Sequence, residues 1–471
     1  MATGASDTSA LPPASAGGSG PAFFRIGERG SSVRLEVLGG VSTFLTMSYI
    51  LFVNPAILSA AGLPLEAVAV ATALAAAIAT AAMGLATNLP FALAPGLGIN
   101  AVVAFDVIIG RELPWPVGMA IIVIEGLLAL VLVLAGLREA IMRAVPMSLK
   151  LAIGAGIGLF ITLVGLREGG IVVNDPATGI GLADLSGGAP LIALGGIAVA
   201  VVLAARRIPG AVILGVLAAT ALGLVFGVLE GPDAVADVPG SAEFGTIGDA
   251  LAPSNLGDAL TVALIPVIFA LFMTDFFDTI GTAVAVGRSG GMLDEDGQLP
   301  EARNLLLVDS GAAALGGAMG CSSVTTYVES GAGVSEGART GLASLVTAGL
   351  FALAIFLVPL IALVGQGVPL PDETVIHPAI APALVLVGYL LLRLLAEIEW
   401  SRPEDAIPAF LIIAGVPLTF SIAAGIGLGV LGYLLVMAAV GRVRAVHPLM
   451  WGVGVLFALF FAADWLSANV F

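Results

Sequence analysis

The chain has 471 residues, of which 59% are hydrophobic and 11% are charged, and its mean hydropathy is +1.11. A soluble protein of this length could not bury so much apolar surface, and continuous apolar runs exclude a membrane β-barrel, whose strands alternate. The net charge of −16 comes largely from acidic connectors such as 230–243 and 294–301, so no nucleic-acid partner is expected. The composition predicts an all-α polytopic protein in a lipid bilayer.

The two termini and the cysteine content give further expectations. Residues 1–33 are predicted to form a disordered tail, since 1–22 are rich in Ala, Gly, Ser and Pro and lack the apolar core of a signal peptide. Cys321 is the single cysteine, which excludes an internal disulfide and a cysteine-based metal site. No metal and no cofactor is predicted.

Hydropathy predicts about 14 crossings of the membrane, in two sets of seven, followed by one more apolar segment. The first set is 34–57, 66–88, 91–106, 117–136, 146–167, 190–205 and 208–229. The second set is 256–285, 303–320, 322–337, 339–365, 377–397, 405–421 and 425–441. The last apolar segment is 446–466, within a C-terminal unit of 442–471.

The basic residues predict the orientation of these crossings. With a cytoplasmic N-terminus, only Arg111 and Arg167 of the 17 lysines and arginines fall outside. An excess of positive charge inside is the rule for multi-pass proteins. The chain is therefore expected to lie in the cytoplasmic membrane with its N-terminus inside, and the two sets of seven run in opposite senses.

A trace of an inverted repeat supports this arrangement. APGLGIN at 94–100 aligns with ESGAGVS at 329–335 at an offset of 235 residues, and Met83-Gly84 and Met319-Gly320 precede the two motifs. Both motifs lie in short segments broken by glycine or proline. Paired interrupted segments in two halves indicate a transport site, because a broken helix leaves free backbone N–H groups inside the membrane.

Five acidic residues lie inside apolar segments, where each costs roughly 2.5–3.5 kcal/mol to insert. They are Glu125, Asp275, Asp278, Asp309 and Glu329. The i, i+3 spacing of Asp275 and Asp278 places both on one helix face. For Asp275 and Glu329 a function is expected, since a buried carboxylate can carry a proton and accept hydrogen bonds from ring N–H groups. Asp309 suits a structural role, with Arg303 as a nearby partner, and the sequence leaves Glu125 open.

Several stretches resemble the azaguanine-permease-like purine transporters, a branch of the nucleobase–cation and nucleobase–ascorbate transporter family. The stretches are VSTFLTMSYI at 41–50, VNP at 53–55, APGLGINA at 94–101, DFFDT at 275–279, YVES at 327–330 and AIPAF at 406–410. The resemblance extends from about residue 23 to 465 and implies a core domain of 34–136 with 256–366 and a gate domain of 137–255 with 367–441.

The resemblance also implies the site and the mechanism. Asp275 and Glu329 would clasp a purine and Asp278 and Asn100 would support the site, with proton symport and a homodimer. The proton-coupling candidates are Asp275, Asp278 and Glu329. The substrate-binding candidates are Asp275, Glu329, Asn100, Gly96, Gly98, Ser330, Gly331 and Thr279.

The expected function is proton-coupled uptake of adenine, guanine or hypoxanthine by alternating access. An anion permease of the same architecture, for sulfate or bicarbonate, is the alternative, and the acids at the site oppose it because they repel an anion. A membrane enzyme is not expected, because the sequence offers no credible pair of nucleophile and base. A channel is also less suited to the site than a carrier, because binding elements lie at mid-membrane in both halves.

Overall fold

The protein, in a computed structural model, is mostly helical. The structure describes residues 22–136, 144–208, 210–232, 234–261, 264–294, 299–370 and 374–470, with the backbone alone at 22, 277 and 463–470. Most of the predicted N-terminal tail therefore lies outside the described residues. Nine helical stretches of the described chain are long and apolar enough to cross a membrane. A multi-pass membrane protein is thereby confirmed, while the count of seven plus seven crossings stays a prediction.

The helices of the first half begin and end as follows. They are α1 Val33–Met47, α2 Ile50–Ala60, α3 Leu65–Thr87, α4 Leu97–Ala101, α5 Trp115–Leu134, α6 Met147–Glu168, α7 Gly188–Ala205 and α8 Ala211–Val225. A π-helix, Val102–Ile109, continues α4 directly.

The second half adds ten helices among the described residues. They are α9 Pro253–Ala259, α10 Ile265–Ser289, α11 Ala302–Met319, α12 Ser330–Ser335, α13 Gly341–Ala354, α14 Val358–Val364, α15 Ala381–Leu392, α16 Pro403–Thr419, α17 Ile422–Ala439 and α18 Pro448–Val470.

Three two-stranded antiparallel ribbons depart from the all-α prediction. They pair β1 (Leu93–Pro95) with β4 (Val324–Thr326), β2 (Val172–Val173) with β3 (Gly181–Leu182), and β5 (Val368–Pro369) with β6 (Val375–Ile376). The residues of β1 and β4 are buried, whereas the other two ribbons lie in connections between helices.

Several predicted crossings are interrupted in the structure. The first is divided at Ser48–Tyr49 into α1 and α2, and 339–365 is divided into α13, a 3-10 turn and α14. The crossings 91–106 and 322–337 each consist of a strand followed by a short helix. Hydropathy misses these breaks because it reports apolar length, which is the same for a straight helix and an interrupted one.

The helices pack in two groups. In one, α3 packs against α13, α5 against α11, and α1 against α13. In the other, α6 packs against α15 and α16, α7 against α8, and α16 against α17. Small residues permit close approach, as at Gly341, where an added Cβ would overlap the backbone of Gly84.

Residues predicted to share one side of the membrane meet in space. Arg29 Nη1 donates to the carbonyl oxygens of Asn88 (2.8 Å) and Arg339 (3.4 Å). At the opposite end, the Arg167 guanidinium lies 5.0 Å from the ring centroid of Phe420. The structure therefore groups the ends of the helices as the charge count predicts, and the assignment of the cytoplasmic side remains a prediction.

We expect single cysteines at Ala234 and Gly367, introduced with Cys321→Ala, to react with an impermeant thiol reagent added outside intact cells. A cysteine at Gly297 should react only after the cells are permeabilised, because the topology places 286–302 inside. Labelling yield, normalised to total protein, is the measurement. The opposite pattern of labelling would reverse the orientation proposed for every helix.

Candidate functional site

The two glycine-broken segments meet in the middle of the protein as strands β1 and β4. Leu93 pairs with Thr326 and Pro95 with Val324 in antiparallel register. The ribbon continues beyond the strands, since the Gly96 N–H donates to the Ser323 carbonyl oxygen over 2.9 Å. Inside a bilayer an irregular backbone must find internal partners, and here each broken segment supplies the partners of the other.

The structure also corrects the register of the predicted repeat. α4 begins at Leu97 and α12 at Ser330, an offset of 233 residues, whereas the motif alignment used 235. Gly96 and Glu329 thus occupy the same position, each immediately before its short helix. The alignment had placed Ala94 opposite Glu329, because glycine spacing alone does not fix where a helix begins.

Asp309 ties β4 to the helix that carries the other acids. Its carboxylate accepts hydrogen bonds from the hydroxyls of Thr279 (2.6 Å), Thr325 (3.3 Å) and Thr326 (2.8 Å), and from the Thr326 N–H (2.9 Å). A structural role was expected for this acid, but Arg303 is exposed and the partners are threonines instead. Four donors stabilise the ionised carboxylate within an apolar region.

Asp275 and Asp278 lie on α10 with different surroundings. The Asp275 side chain is buried, and its Oδ2 accepts a hydrogen bond from the Ser323 hydroxyl over 3.1 Å. Its Oδ1 is buried without a hydrogen-bond partner among the described residues. Asp278, one turn further along, is exposed. Asp275 thus offers a free acceptor at the ribbon, and Asp278 lies where a path to solvent begins.

Glu329 stands at the start of α12 and faces the break in the first crossing. Its Oε1 accepts a hydrogen bond from the Tyr49 hydroxyl over 2.5 Å. Tyr49 lies between α1 and α2, and the side chain of Tyr327 donates to the Pro95 carbonyl oxygen. The half-buried carboxylate of Glu329 is therefore held by one tyrosine and keeps a second oxygen available.

The predicted residue Asn100 lies on α4 with its whole side chain buried. Neither its Oδ1 nor its Nδ2 has a hydrogen-bond partner in the part of the chain that the structure describes. An unpaired buried amide costs roughly 1–3 kcal/mol, so such groups call for an explanation. A polar substrate that supplied both a donor and an acceptor would satisfy it.

The remaining candidates support the ribbon rather than face open space. The Thr279 hydroxyl is engaged by Asp309 and lies 2.8 Å from the Thr325 hydroxyl, and the Ser330 hydroxyl accepts from the Ala92 N–H over 3.0 Å. An added Cβ at Gly96 would come 2.9 Å from Thr325 Cγ2, and one at Gly98 would come 2.7 Å from Ile157 Cγ2. An added Cβ at Gly331 would have only Val286 Cγ2 nearby, at 3.9 Å.

An exposed stripe leads away from the site along α10. Asp278, Gly281, Ala285 and Arg288 are all exposed and recur every three or four residues, so they share one face of the helix. Arg288 is among the residues predicted to lie inside. Because the stripe carries two charged side chains, it is suited to line an aqueous path between the acids and that side of the membrane.

Sequence reasoning missed Tyr49 and Ser323, which bond the two principal acids. Both residues are polar and lie within or beside apolar segments, where their hydroxyls need a partner, and that is the signal that could have found them. Their partners lie 280 and 48 residues away along the chain. The pairing therefore could not be assigned without the tertiary structure.

Interrupted, paired segments with acids at mid-membrane define a polytopic membrane transport protein. The family model described as "Permease family" (Xan_ur_permease) matches residues 34–428. The chain belongs to this family, and the resemblance drawn from its motifs is confirmed. Its members are permeases, which are transporters rather than enzymes.

Curated relatives match nearly the whole chain. The guanine/hypoxanthine permease PbuG of Bacillus subtilis (strain 168) is 41% identical over 93% of this chain and 98% of its own length. The adenine permease AdeP of Escherichia coli (strain K12) is 37% identical over 93% and 94% of the two chains. The nucleobase transporter PlAzg2 of Paenibacillus larvae is 33% identical over 86% and 78%.

Solved structures share the fold at low identity. The transmembrane domain of a cyanobacterium bicarbonate transporter, BicA, superposes with a TM-score of 0.61 at 15% identity, covering 83% of this chain and 97% of that domain. SLC26A9 superposes with a TM-score of 0.57 at 13% identity, covering 86% and 65% of the two chains. At these identities the likeness concerns architecture alone.

Two neighbouring glycines of α12 should respond differently to substitution. A Cβ at Gly333 would overlap the Gly39 carbonyl oxygen and the Thr43 hydroxyl, whereas one at Gly331 meets open space. We expect Gly333→Ala to lower stability by about 1–3 kcal/mol, as overpacking does, and Gly331→Ala to be neutral. Thermal unfolding of the purified protein is the measurement.

The same glycine gives a test of the path. Gly331→Leu should insert and fold like wild type but lose uptake, because its side chain would extend into the space beside Glu329. Normal uptake by Gly331→Leu would place Gly331 away from the path.

Proposed function

We propose that this protein takes up purine nucleobases of the adenine, guanine and hypoxanthine class across the cytoplasmic membrane. Three relatives that match most of the chain are named as adenine, guanine/hypoxanthine or nucleobase transporters. The chemistry of the site supports the same substrate class, because purines carry ring N–H donors and ring nitrogen acceptors on a flat edge.

The observation that carries the proposal is the meeting of free acceptors at the β1–β4 ribbon. Asp275 has an unpartnered Oδ1 in the described structure, Glu329 has a second oxygen beyond its bond to Tyr49, and Asn100 offers both a donor and an acceptor. Two carboxylates accept from N–H groups of a purine, and an amide can bond to a ring nitrogen or a carbonyl group. The site residues come from both halves of the chain.

An anion permease is the alternative, since BicA and SLC26A9 share the architecture. The site opposes that reading. Asp275, Asp278 and Glu329 place negative charge where an anion would bind, and unit charges of like sign about 4 Å apart repel by about 4 kcal/mol at an effective dielectric constant of 20.

We expect excess unlabelled adenine, guanine or hypoxanthine to abolish uptake of radiolabelled hypoxanthine by cells that express the protein. Uracil, sulfate and bicarbonate at the same concentrations should have no effect. The measurement is the initial rate of uptake, with the empty vector as control. Inhibition by sulfate or bicarbonate, but not by purines, would establish the alternative.

Uptake is further proposed to be coupled to protons. A neutral purine gains nothing from a membrane potential, so accumulation requires a co-transported cation. Asp275, Asp278 and Glu329 are the coupling candidates, and their positions within the membrane and beside an exposed stripe would let a carboxylate meet water on one side after purine release.

Alternating access is proposed as the mechanism, with a moving core (34–136 and 256–366) and a fixed gate (137–255 and 367–441). The two packing groups of helices support this division. On the side predicted to be outside, the Ser421 hydroxyl of the gate donates to Asp106 Oδ2 of the core over 2.7 Å. Contact at that end, with an exposed stripe at the other, is what an inward-open carrier requires. A homodimer with a cytoplasmic N-terminus is proposed from the resemblance.

Amide replacements at the two clasping acids should separate binding from coupling. Asp275→Asn and Glu329→Gln keep shape and an acceptor oxygen but cannot titrate. We expect one of them, Asp275→Asn on present evidence, to bind hypoxanthine but to lose accumulation against a gradient. The other should lose binding by about a hundredfold or more, since hydrogen bonds to charged groups contribute about 1.5–3 kcal/mol each.

The assays are hypoxanthine uptake driven by an imposed pH gradient and binding to the purified protein. Glu168→Gln is the matched control, because Glu168 is a buried acid of the gate that bonds to His377 (2.9 Å) away from the ribbon. Undiminished gradient-driven uptake in both site variants would show that these acids are structural.

A further inference from the structure

Glu125 is a buried acid for which neither the ribbon nor the proposed purine contacts supply a role. It lies in the middle of α5, its side chain has no exposed surface, and both carboxylate oxygens lack a hydrogen-bond partner in the described part of the chain. An ionised carboxylate in such a place costs several kcal/mol. Glu125 is therefore most stable with a proton bound.

The helix that carries Glu125 cannot turn it towards lipid or water. α5 packs along α11, and an added Cβ at Gly126 would overlap the backbone of Ala314. One turn away, a Cβ at Gly317 would come 2.8 Å from the Val123 nitrogen. These close contacts fix Glu125 against the helix of Asp309.

Charged neighbours of Glu125 come from two of the helices packed against α5. Electrostatic repulsion links it to Asp309 on α11 and to Asp275 on α10. Two short helical segments also pack against α5, but their acids, Asp249 and Asp258, are exposed. Like charges in one site cannot all ionise, so the three buried acids hold at least one proton between them.

Hydrogen bonds decide which of the three acids is ionised. Asp309 accepts four, Asp275 accepts one from Ser323, and Glu125 accepts none from the described residues. Each donor stabilises the anion, so Asp309 is the permanent anion and the shared proton is divided between Asp275 and Glu125. A purine N–H that donates to Asp275 would shift that division towards Glu125.

We propose that Glu125 stores the transported proton while a purine occupies Asp275. On binding, the proton leaves the Asp275 carboxyl and joins the Glu125 carboxylate, so that Asp275 becomes the anion that accepts the purine N–H. On release inside, the proton returns from Glu125 to Asp275 and then passes to water. One proton crosses with each purine, and none is lost to solution when the purine binds.

This inference rests on the proposed proton–purine coupling, and the experiment separates the two. Wild type and Glu125→Gln are reconstituted into vesicles, and proton entry with hypoxanthine is followed by a trapped pH indicator together with radiolabelled uptake. Wild type should move protons with hypoxanthine. Glu125→Gln should exchange hypoxanthine across the membrane but carry at least about tenfold fewer protons per purine, because the amide cannot take the proton from Asp275.

A second measurement excludes a purely structural role. When hypoxanthine is added to purified protein in weak buffer, wild type should release no proton. Glu125→Gln should release one, since Asp275 must then lose its proton to solution. Glu125→Asp, which can titrate, should behave like wild type, and Glu168→Gln should do so as well. If Glu125→Gln is not recovered folded, Glu125→Met compared with Glu125→Asp makes the same test.

The possible results are distinct. No proton movement with hypoxanthine in wild type would refute the coupling itself. Coupled movement in wild type that persists unchanged in Glu125→Gln, with no proton release on binding, would overturn the role of Glu125 and leave the coupling intact.

Discussion

The site depends on the satisfaction of backbone hydrogen bonds inside the membrane. Two segments leave the helical conformation at mid-bilayer, and a bilayer offers no water to their N–H and carbonyl groups. The antiparallel pairing of Leu93–Pro95 with Val324–Thr326 meets this requirement. It also determines geometry, because the pairing fixes Glu329, Asn100 and the threonines of β4 relative to one another.

The ribbon and α10 are joined by a polar network built on threonine and serine. Asp309 binds Thr279 of α10 and two threonines of β4, while Ser323 binds Asp275. Short hydroxyl side chains suit this position, since each can donate to a carboxylate without occupying the space that a flat substrate needs. The same network gives the acids different environments, and different environments allow chemically identical groups to serve as anchor, ligand and proton store.

Fold and chemistry give separate kinds of information about this family. BicA and SLC26A9 share the architecture at 15% identity or less, although their titles describe bicarbonate and anion transport. The relatives named for purines share 33–41% identity. The architecture provides two halves with broken segments, and the side chains next to the breaks select the solute. Acids at those positions, rather than the fold, distinguish the purine proposal from the anion alternative.

The sequence by itself determined that the chain crosses a membrane many times, where the crossings lie, and which segments are broken. Apolar length, glycine and proline are local properties, so they can be read without a structure. The sequence also singled out Asp275 and Glu329, because a charge in an apolar run is conspicuous wherever the run packs. Tertiary structure alone decided that Tyr49 bonds Glu329, that threonines rather than Arg303 surround Asp309, and that Glu125 shares a site with Asp275. These pairings join residues up to 280 positions apart. Their formation depends on helix packing and on the register of the ribbon, which no local pattern specifies.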